Sequence, residues 1–341
     1  MKKFSLNLLI MVLFIVGAYF IVVPNQKAMA ASFNPTKFQW GVTMRPYAVG
    51  SYSASNWSKQ ISKAHSLGVG WARVMWDYNC SKPFTENTAV IKALTKKSIN
   101  TLLVIEHNPN DGNNNLYQQG YNEGKSIAKY YKGTVHYYQM MNEGGAQSIK
   151  SPTSNGQTIA DYNVAAYNQV RDFMKGLSDG ITAGDPTAIK VVTISWTQVG
   201  FLDRLVKDGV NFDSIGIDWY DWMGSFASTH LSNGKLLSDK LRSYGKPLIF
   251  AEVAAMPNAN NKKIVNTANQ QNFTMQTAQW AWDNRGFVRG FYAFELVDNA
   301  TNPNPDYYGL VSVIQKKGKY VLSSARPVYT AYQKFIKAHK P

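Results

Sequence analysis

The amino-acid sequence predicts a single (β/α)8 TIM barrel over residues 31–341. Three observations predict it. Eight short apolar runs alternate with longer amphipathic runs along that length. No linker or low-complexity stretch divides it. The first run leads into Met44-Arg45-Pro46-Tyr47, not into the glycine-rich phosphate loop usual after the first strand of the competing open doubly wound sheet.

The first strand is read at Phe38–Thr43. A helix over Asn56–Leu67 follows and stops at Gly68, a residue suited to a left-handed helix end. The second strand is Trp71–Trp76, and its helix, Glu86–Lys97, follows Thr85 as N-cap. The third strand is Thr101–Ile105, with a helix at Gly120–Tyr131 that Gly124 interrupts. The fourth strand, Val135–Met140, precedes a long helix, Ile159–Leu177, whose Val164, Tyr167, Val170 and Met174 recur at helical spacing. Strands at Lys190–Ile194, Ser214–Ile217 and Pro247–Ala251 alternate with helices at Phe201–Lys207, Leu236–Tyr244 and Asn269–Asn284. The last strand is Val288–Ala293, and Tyr329–Ala338 closes the chain. The strand runs are rich in Val, Ile and aromatics, as strands buried on both faces are.

Residues 1–30 read as a targeting segment. Met1-Lys2-Lys3 precedes an uncharged run from Leu6 to Val23, and Ala28-Met29-Ala30 has the small-x-small spacing of a cleavage site. The run is also long enough to act as a membrane anchor. Either way the remainder is expected to be secreted or at the cell surface. The chain has 341 residues, with 36 Lys/Arg against 21 Asp/Glu, a formal net charge of +15. A basic exported protein is expected to associate loosely with anionic cell-wall polymer, and no basic run is dense enough to suggest nucleic acid. A monomer is expected. One cysteine, Cys80, excludes an intrachain disulfide and a Cys-based metal cluster. The five histidines show no metal-ligand spacing on a helix, so neither metal nor cofactor is expected.

In a barrel the reactive groups lie at the C-terminal ends of the strands. Arg73, Asp77 and Tyr78 fall in or just after the second strand, Glu106 and His107 after the third, and Asn142 and Glu143 after the fourth. Asp218, Trp219, Tyr220 and Asp221 follow the sixth, Glu252 ends the seventh, and Glu295 and Asp298 follow the eighth. One such charge is most simply a salt bridge. Several at one end of successive strands make a polar pocket, because charges there are costly unless paired or solvated. Paired carboxylates among aromatics suit glycoside hydrolysis: one protonates the leaving oxygen, and the other attacks the anomeric carbon or activates water. Trp40, Trp76, Trp196, Trp219 and Trp222 are candidate platforms for sugar rings, with core packing as the alternative role.

Residues 36–338 resemble the clan of retaining (β/α)8 glycoside hydrolases with catalytic glutamates on strands 4 and 7. The resemblance is carried by Tyr138-Gln-Met-Met-Asn142-Glu143, Leu248-Ile-Phe-Ala-Glu252, Leu67-Gly-Val-Gly-Trp-Ala-Arg73 and Phe294-Glu-Leu-Val-Asp298. The last segment, followed by Tyr308-Gly-Leu, is most similar to family 39 and related bacterial exopolysaccharide hydrolases, with families 5 and 53 as close competitors. The resemblance implies Glu143 as general acid/base, Glu252 as nucleophile and Asn142 as a hydrogen-bond partner of the sugar 2-hydroxyl. It implies Arg73 and Tyr220 as the groups that orient Glu252, and His107 as a residue lining the site; Glu106 is the weaker candidate there, its neighbour His107 being expected to face the site instead. Two departures stand out: Asp218-Trp219-Tyr220 where the clan often has His-x-Tyr, and Phe294-Glu295 where it often has Trp.

The expected substrate is a polysaccharide or oligosaccharide with β-glycosidic bonds. A transglycosylase would use the same residues. A catalytically silent glycan-binding barrel is the alternative of another class, and only the enzymes need both glutamates. Segments 108–122, 144–157 and 299–308 are expected to wall the cleft.

Overall fold

The computed structural model describes residues 37–45, 53–78, 82–107, 114–151, 153–255, 267–300 and 306–341. The targeting segment and Cys80 lie outside these. Strands β1 (Gln39–Met44), β2 (Trp71–Met75), β3 (Asn100–Ile105), β4 (Tyr137–Met140), β5 (Ile189–Ser195), β6 (Ser214–Tyr220), β7 (Leu248–Ala254) and β8 (Val288–Ala293) form a closed barrel in chain order. The pairings are parallel, and β1 closes on β8 with Gln39 opposite Gly290.

Alternation along the strands sorts side chains into two cores. Inside the barrel, Trp71, Leu102, Tyr137, Val191, Ile249 and Tyr292 form an apolar plug. The larger core lies outside, between strands and helices, and includes Val42, Val74, Leu103, Tyr138, Val192, Ile217 and Phe250. The plug fills the lower barrel, so the next inward residues up each strand sit on a dry floor. On β2, β4, β5 and β6 those residues are polar: Arg73, Gln139, Thr193 and Asp218.

The helices are α1 (Ala54–Leu67), α2 (Pro83–Thr95), α3 (Leu116–Tyr130), α4 (Gly144–Ser148), α5 (Val164–Gly184), α6 (Val199–Lys207), α7 (Leu237–Arg242), α8 (Thr267–Asp283) and α9 (Pro327–Ala338). Gly68 ends α1 in the left-handed conformation, φ 86°. Helix α2 begins earlier than expected: Lys82 is its N-cap and Pro83 its first residue, so Thr85 lies inside it. Proline at that position lacks only an N–H that would have had no partner. Helix α5 begins later, where Asn163 accepts a hydrogen bond from the Ala166 N–H at 3.0 Å; residues 159–161 form a separate 3-10 turn.

Gly124, read as an interruption, is instead a contact residue. A Cβ at Gly120 would lie 2.2 Å from the Phe173 carbonyl oxygen, and one at Gly124 2.7 Å from that of Leu177. On the other helix, a Cβ at Gly176 would lie 2.0 Å from the Tyr117 oxygen and one at Gly180 2.2 Å from the Tyr121 oxygen. Helices α3 and α5 therefore meet backbone to backbone, with glycines supplied by both.

Strands β9 (Val311–Lys316) and β10 (Lys319–Ala325) form an antiparallel hairpin before α9 that the alternation did not predict. Of the segments expected to wall the cleft, 116–122 belongs to α3, while 108–113 and 301–305 lie outside the described residues.

Candidate active site

Arg73 organises the polar layer. It is fully buried, and each guanidinium nitrogen has a partner. Nε donates to Gln139 Oε1 at 2.8 Å, Nη1 to Glu252 Oε1 at 2.6 Å and Nη2 to Asn142 Oδ1 at 2.6 Å. A charge this deep is tolerable only when paired and hydrogen-bonded. The ion pair of Arg73 is with Glu252 and not with Asp77, the acid nearest to it in sequence. Gln139, hidden in an apolar run of β4, spreads the network further. Its amide nitrogen donates to the Met141 carbonyl at 3.0 Å and to Thr193 Oγ1 at 2.9 Å.

Glu252 sits on the inward face of upper β7, with Asp218 as its register partner on β6. Its second oxygen, Oε2, accepts a short hydrogen bond from the Tyr220 hydroxyl. One oxygen thus faces a cation and the other a phenol. Tyr220 is held edge-on by Phe294, at 6.0 Å and 72°, and by Tyr308, at 5.6 Å and 62°. Trp222, 66% exposed, stacks on its outer side at 6.2 Å and 14°.

Glu143 follows β4 in left-handed backbone, φ 47°, two residues after Met141 at φ 62°. A non-glycine residue there is strained. The surroundings hold it: the Glu143 N–H donates to Thr193 Oγ1 at 3.3 Å, and the Met141 N–H donates to the Ile105 carbonyl at 2.8 Å. Burial pushes the Glu143 carboxyl up from its ordinary range. The negative charge of Glu252 adds to this, while the Ser195 hydroxyl and Arg73 oppose it. Glu143 lines a cavity of about 400 Å³ with Met75, Glu106, Asn142, Ala146 and Gln147.

The structure reverses the order of Glu106 and His107. Glu106 accepts a short hydrogen bond from the Asn142 backbone N–H, and burial pushes its carboxyl up. His107 packs on Phe173, ring centroids 5.0 Å apart, in an adjoining cavity of about 290 Å³ that shares Gln147 with the first and also has Met141 and Gln169 in its lining. That cavity contains neither Glu143 nor Glu252.

Two sugar-platform candidates are corrected. Trp219 is 0% exposed, with its indole N–H on the Gly224 carbonyl at 2.9 Å and its ring edge-on to Phe226. It lies between Asp218 and Tyr220, which face the barrel interior, so alternation turns it into the outer core. Trp40 is 2% exposed and donates to the His339 carbonyl at 2.7 Å, among Trp282, Tyr332 and Phe335. Like Trp219, it faces the helices and cannot meet a ligand in the cleft.

Asp218 is wholly buried, and no described side chain donates to either of its oxygens. Burial pushes its carboxyl well above the ordinary range. The Glu252 charge adds to this, and Arg73 and the Glu252 backbone N–H oppose it. A raised native pKa means that the folded state holds a proton the unfolded state releases. The stability contribution is intact below the ordinary Asp range, near ~3.9, and is lost as pH rises above it. Asp218→Asn should therefore narrow the difference in melting temperature between pH 5 and pH 8. Glu106 and Glu143 shift in the same direction, so part of the difference should remain. An unchanged difference would mean that Asp218 is ionised in the fold.

Among the described residues no group of three or more His, Cys, Asp and Glu side chains could hold a metal ion.

No protein-family model and no curated protein sequence matches the chain. The barrel itself has solved relatives. It is similar to a family 1 β-glucosidase from Thermotoga maritima, with a TM-score of 0.63 over 89% of this chain and 97% of that one at 12% identity. It is similar to the AHE enzyme from Alicyclobacillus herbarius, with a TM-score of 0.65 over 91% and 98% at 12% identity. A hyperthermophilic β-glucosidase mutant aligns at 0.61 over 88% and 100%, again at 12% identity. At these identities the likeness establishes the (β/α)8 barrel. The families named for these relatives include family 1, and not the 39, 5 or 53 expected from the motifs.

Proposed function

We propose that the chain is an exported retaining glycoside hydrolase that cleaves β-glycosidic bonds of a polysaccharide or oligosaccharide. One observation carries the reading: two glutamates, Glu252 buried and Glu143 half-buried, sit in opposite surroundings. Glu252 is held by Arg73 and Tyr220, one on each carboxylate oxygen. Glu143 is pushed toward its protonated form by burial and by Glu252 itself. Carboxyls whose environments drive them apart in this way divide the roles of acid and nucleophile.

In the first step Glu252 attacks the anomeric carbon while Glu143 gives its proton to the departing glycosidic oxygen. The product is a glycosyl ester on Glu252. Once that ester has neutralised Glu252, the repulsion that added to the effect of burial on Glu143 is gone, and Glu143 can take a proton from the incoming water. Water adds to the anomeric carbon and releases Glu252. Asn142 receives Arg73 and Gln139 on its amide oxygen, at 2.6 and 3.2 Å, which presents its N–H donors to a sugar 2-hydroxyl. With a sugar hydroxyl in place of water the same steps give a transglycosylase. A silent glycan-binding barrel would have no use for this division of surroundings. The uncharged run Leu6–Val23 behind Lys2-Lys3 supports export.

The test is a polysaccharide screen that reads released reducing ends, followed by proton NMR of the first-formed sugar. A β-glycan should give initial β product. Initial α product would overturn the retaining assignment, and binding without release on every glycan retained would leave only the silent barrel. Glu143→Gln should lose about 10²–10⁴-fold in rate. The loss should be smallest on substrates with good leaving groups, and equal losses on good and poor ones would remove Glu143 as the acid.

A further inference from the structure

The charge of the chain is segregated. The first acidic residue is Asp77 and the last is Asp306. Residues 1–76 and 307–341 hold 15 of the 36 Lys/Arg and no acid, so the middle of the chain, with 21 of each sign, is neutral. The whole net charge of +15 belongs to the two ends.

The fold brings the described parts of those ends together. Tyr329 on α9 donates to the Lys63 carbonyl on α1 at 2.7 Å, and Gln333 to that of Ser66 at 2.5 Å. Asn56 on α1 donates to the Tyr320 carbonyl on β10 at 3.0 Å. Helix α1, the hairpin and α9 therefore make one face. On it Lys59, Lys316, Lys317, Lys319, Lys334, Lys337 and Lys340 are exposed, and none of them forms an ion pair among the described residues.

The placement is costly without a counter-charge. Lys316 and Lys319 are register partners across the hairpin, where like charges repel. Lys334 and Lys337 are three apart on one helix, again facing neighbours of like sign. The line ends at a cavity of about 680 Å³, where Lys340 joins Lys37, Arg285 and Arg289 beside a single acid, Asp283. From these observations we infer that the α1–hairpin–α9 face is a docking surface for a linear acidic polysaccharide, separate from the catalytic mouth.

The make-up of the face selects that partner. Its exposed charges are lysines, which act as point charges along a chain rather than as planar forks for single phosphates. Of the arginines along it, Arg326 is spent on Asp298 at 2.6 and 2.7 Å, and Arg285 and Arg289 lie only at the cavity where the line ends. A membrane-lying surface would carry a row of exposed apolar side chains, and here Ile314 alone stands out among the large ones. A single-stranded nucleic acid would need exposed aromatic platforms; here Tyr329 and Tyr332 are buried and Trp57, Tyr320 and Phe335 are half-buried. The inference goes beyond the proposed activity and does not depend on it.

The test is retention of the full chain on immobilised polygalacturonate across a salt series. One variant carries Lys316→Gln, Lys317→Gln, Lys319→Gln, Lys334→Gln and Lys337→Gln. A control removes the same charge from the middle of the chain, with Lys92→Gln, Lys129→Gln, Lys132→Gln, Lys207→Gln and Lys235→Gln. The face variant should release at lower salt. Its slope of log affinity against log salt should shrink by up to about one unit per lysine removed. The control should behave as the parent does, and hydrolysis of a neutral glycan should be unchanged in the face variant. Equal weakening of both variants would reduce the effect to net charge and overturn the site. Failure of the parent to bind polygalacturonate would overturn it too, as would retention on phosphatidylglycerol vesicles or single-stranded DNA at salt that abolishes polygalacturonate binding.

Discussion

Glu252→Ala should abolish turnover, with a loss on the order of 10⁴-fold or more, as deletion of a covalent nucleophile produces in other enzymes. Added azide should restore part of the rate and give the glycosyl azide of inverted configuration, because the small anion fits where the carboxylate was. The same deletion leaves the Nη1 of Arg73 without its partner inside the barrel. Breaking a buried pair from one side costs about 3–5 kcal/mol, so the melting temperature should fall as well. Glu252→Gln separates the two effects. It keeps an oxygen for Arg73 and fills the space, so it should melt closer to the parent, lose turnover and resist azide. Retention of more than about a tenth of the parent rate in purified, folded Glu252→Ala would remove Glu252 as nucleophile.

Gly180→Ala should be among the most damaging single changes outside the site, although it adds one methyl group. That carbon would stand 2.2 Å from the Tyr121 oxygen and 2.9 Å from the Lys125 nitrogen, both backbone atoms of α3. A clashing side chain can change rotamer, but a clashing backbone has to move with its helix. Overpacking of this kind costs about 1–3 kcal/mol and occasionally more, and the upper end is expected. Gly286→Ala is the control, since nothing lies within 4 Å of where its methyl group would stand and its backbone is not left-handed. Thermal melts decide the matter. A Gly180→Ala protein that melts within about a degree of the parent would mean that α3 and α5 are not locked together.

The barrel was legible because buried strands and amphipathic helices leave different periods, and each of the eight strands overlaps the run that predicted it. The hairpin was not, since its exposed residues Ile314–Lys319 lack the apolar continuity that marks a barrel strand. Gly124 reads in the sequence as a helix interruption, and its role as a contact shows only with Gly176 and Gly180 opposite it. Within the site, Arg73, Asn142, Tyr220 and Glu252 were found by their place at strand ends, and the fold joins them in one network. Gln139 escaped because it lies one turn of the pleat below the strand end, inside an apolar run. Trp219 could have been excluded from the sequence itself: a strand residue between two inward-facing neighbours has to face outward. Glu106 and His107 could not be ordered that way, because both lie past the end of β3, where alternation no longer holds.

Trp40 donates its indole N–H to His339 across 299 positions of the chain, and Tyr332 caps the Gly41 carbonyl at 2.9 Å across 291. The first strand of the barrel is thus completed by the last helix. A ribosome that has made β1 has to make the seven other barrel strands and α9 before that tryptophan is covered. Closure of such distant contacts is slow, because the loop entropy is lost before the contact returns anything. The nascent chain therefore carries an unfinished, aromatic-edged sheet at least until α9 has been made.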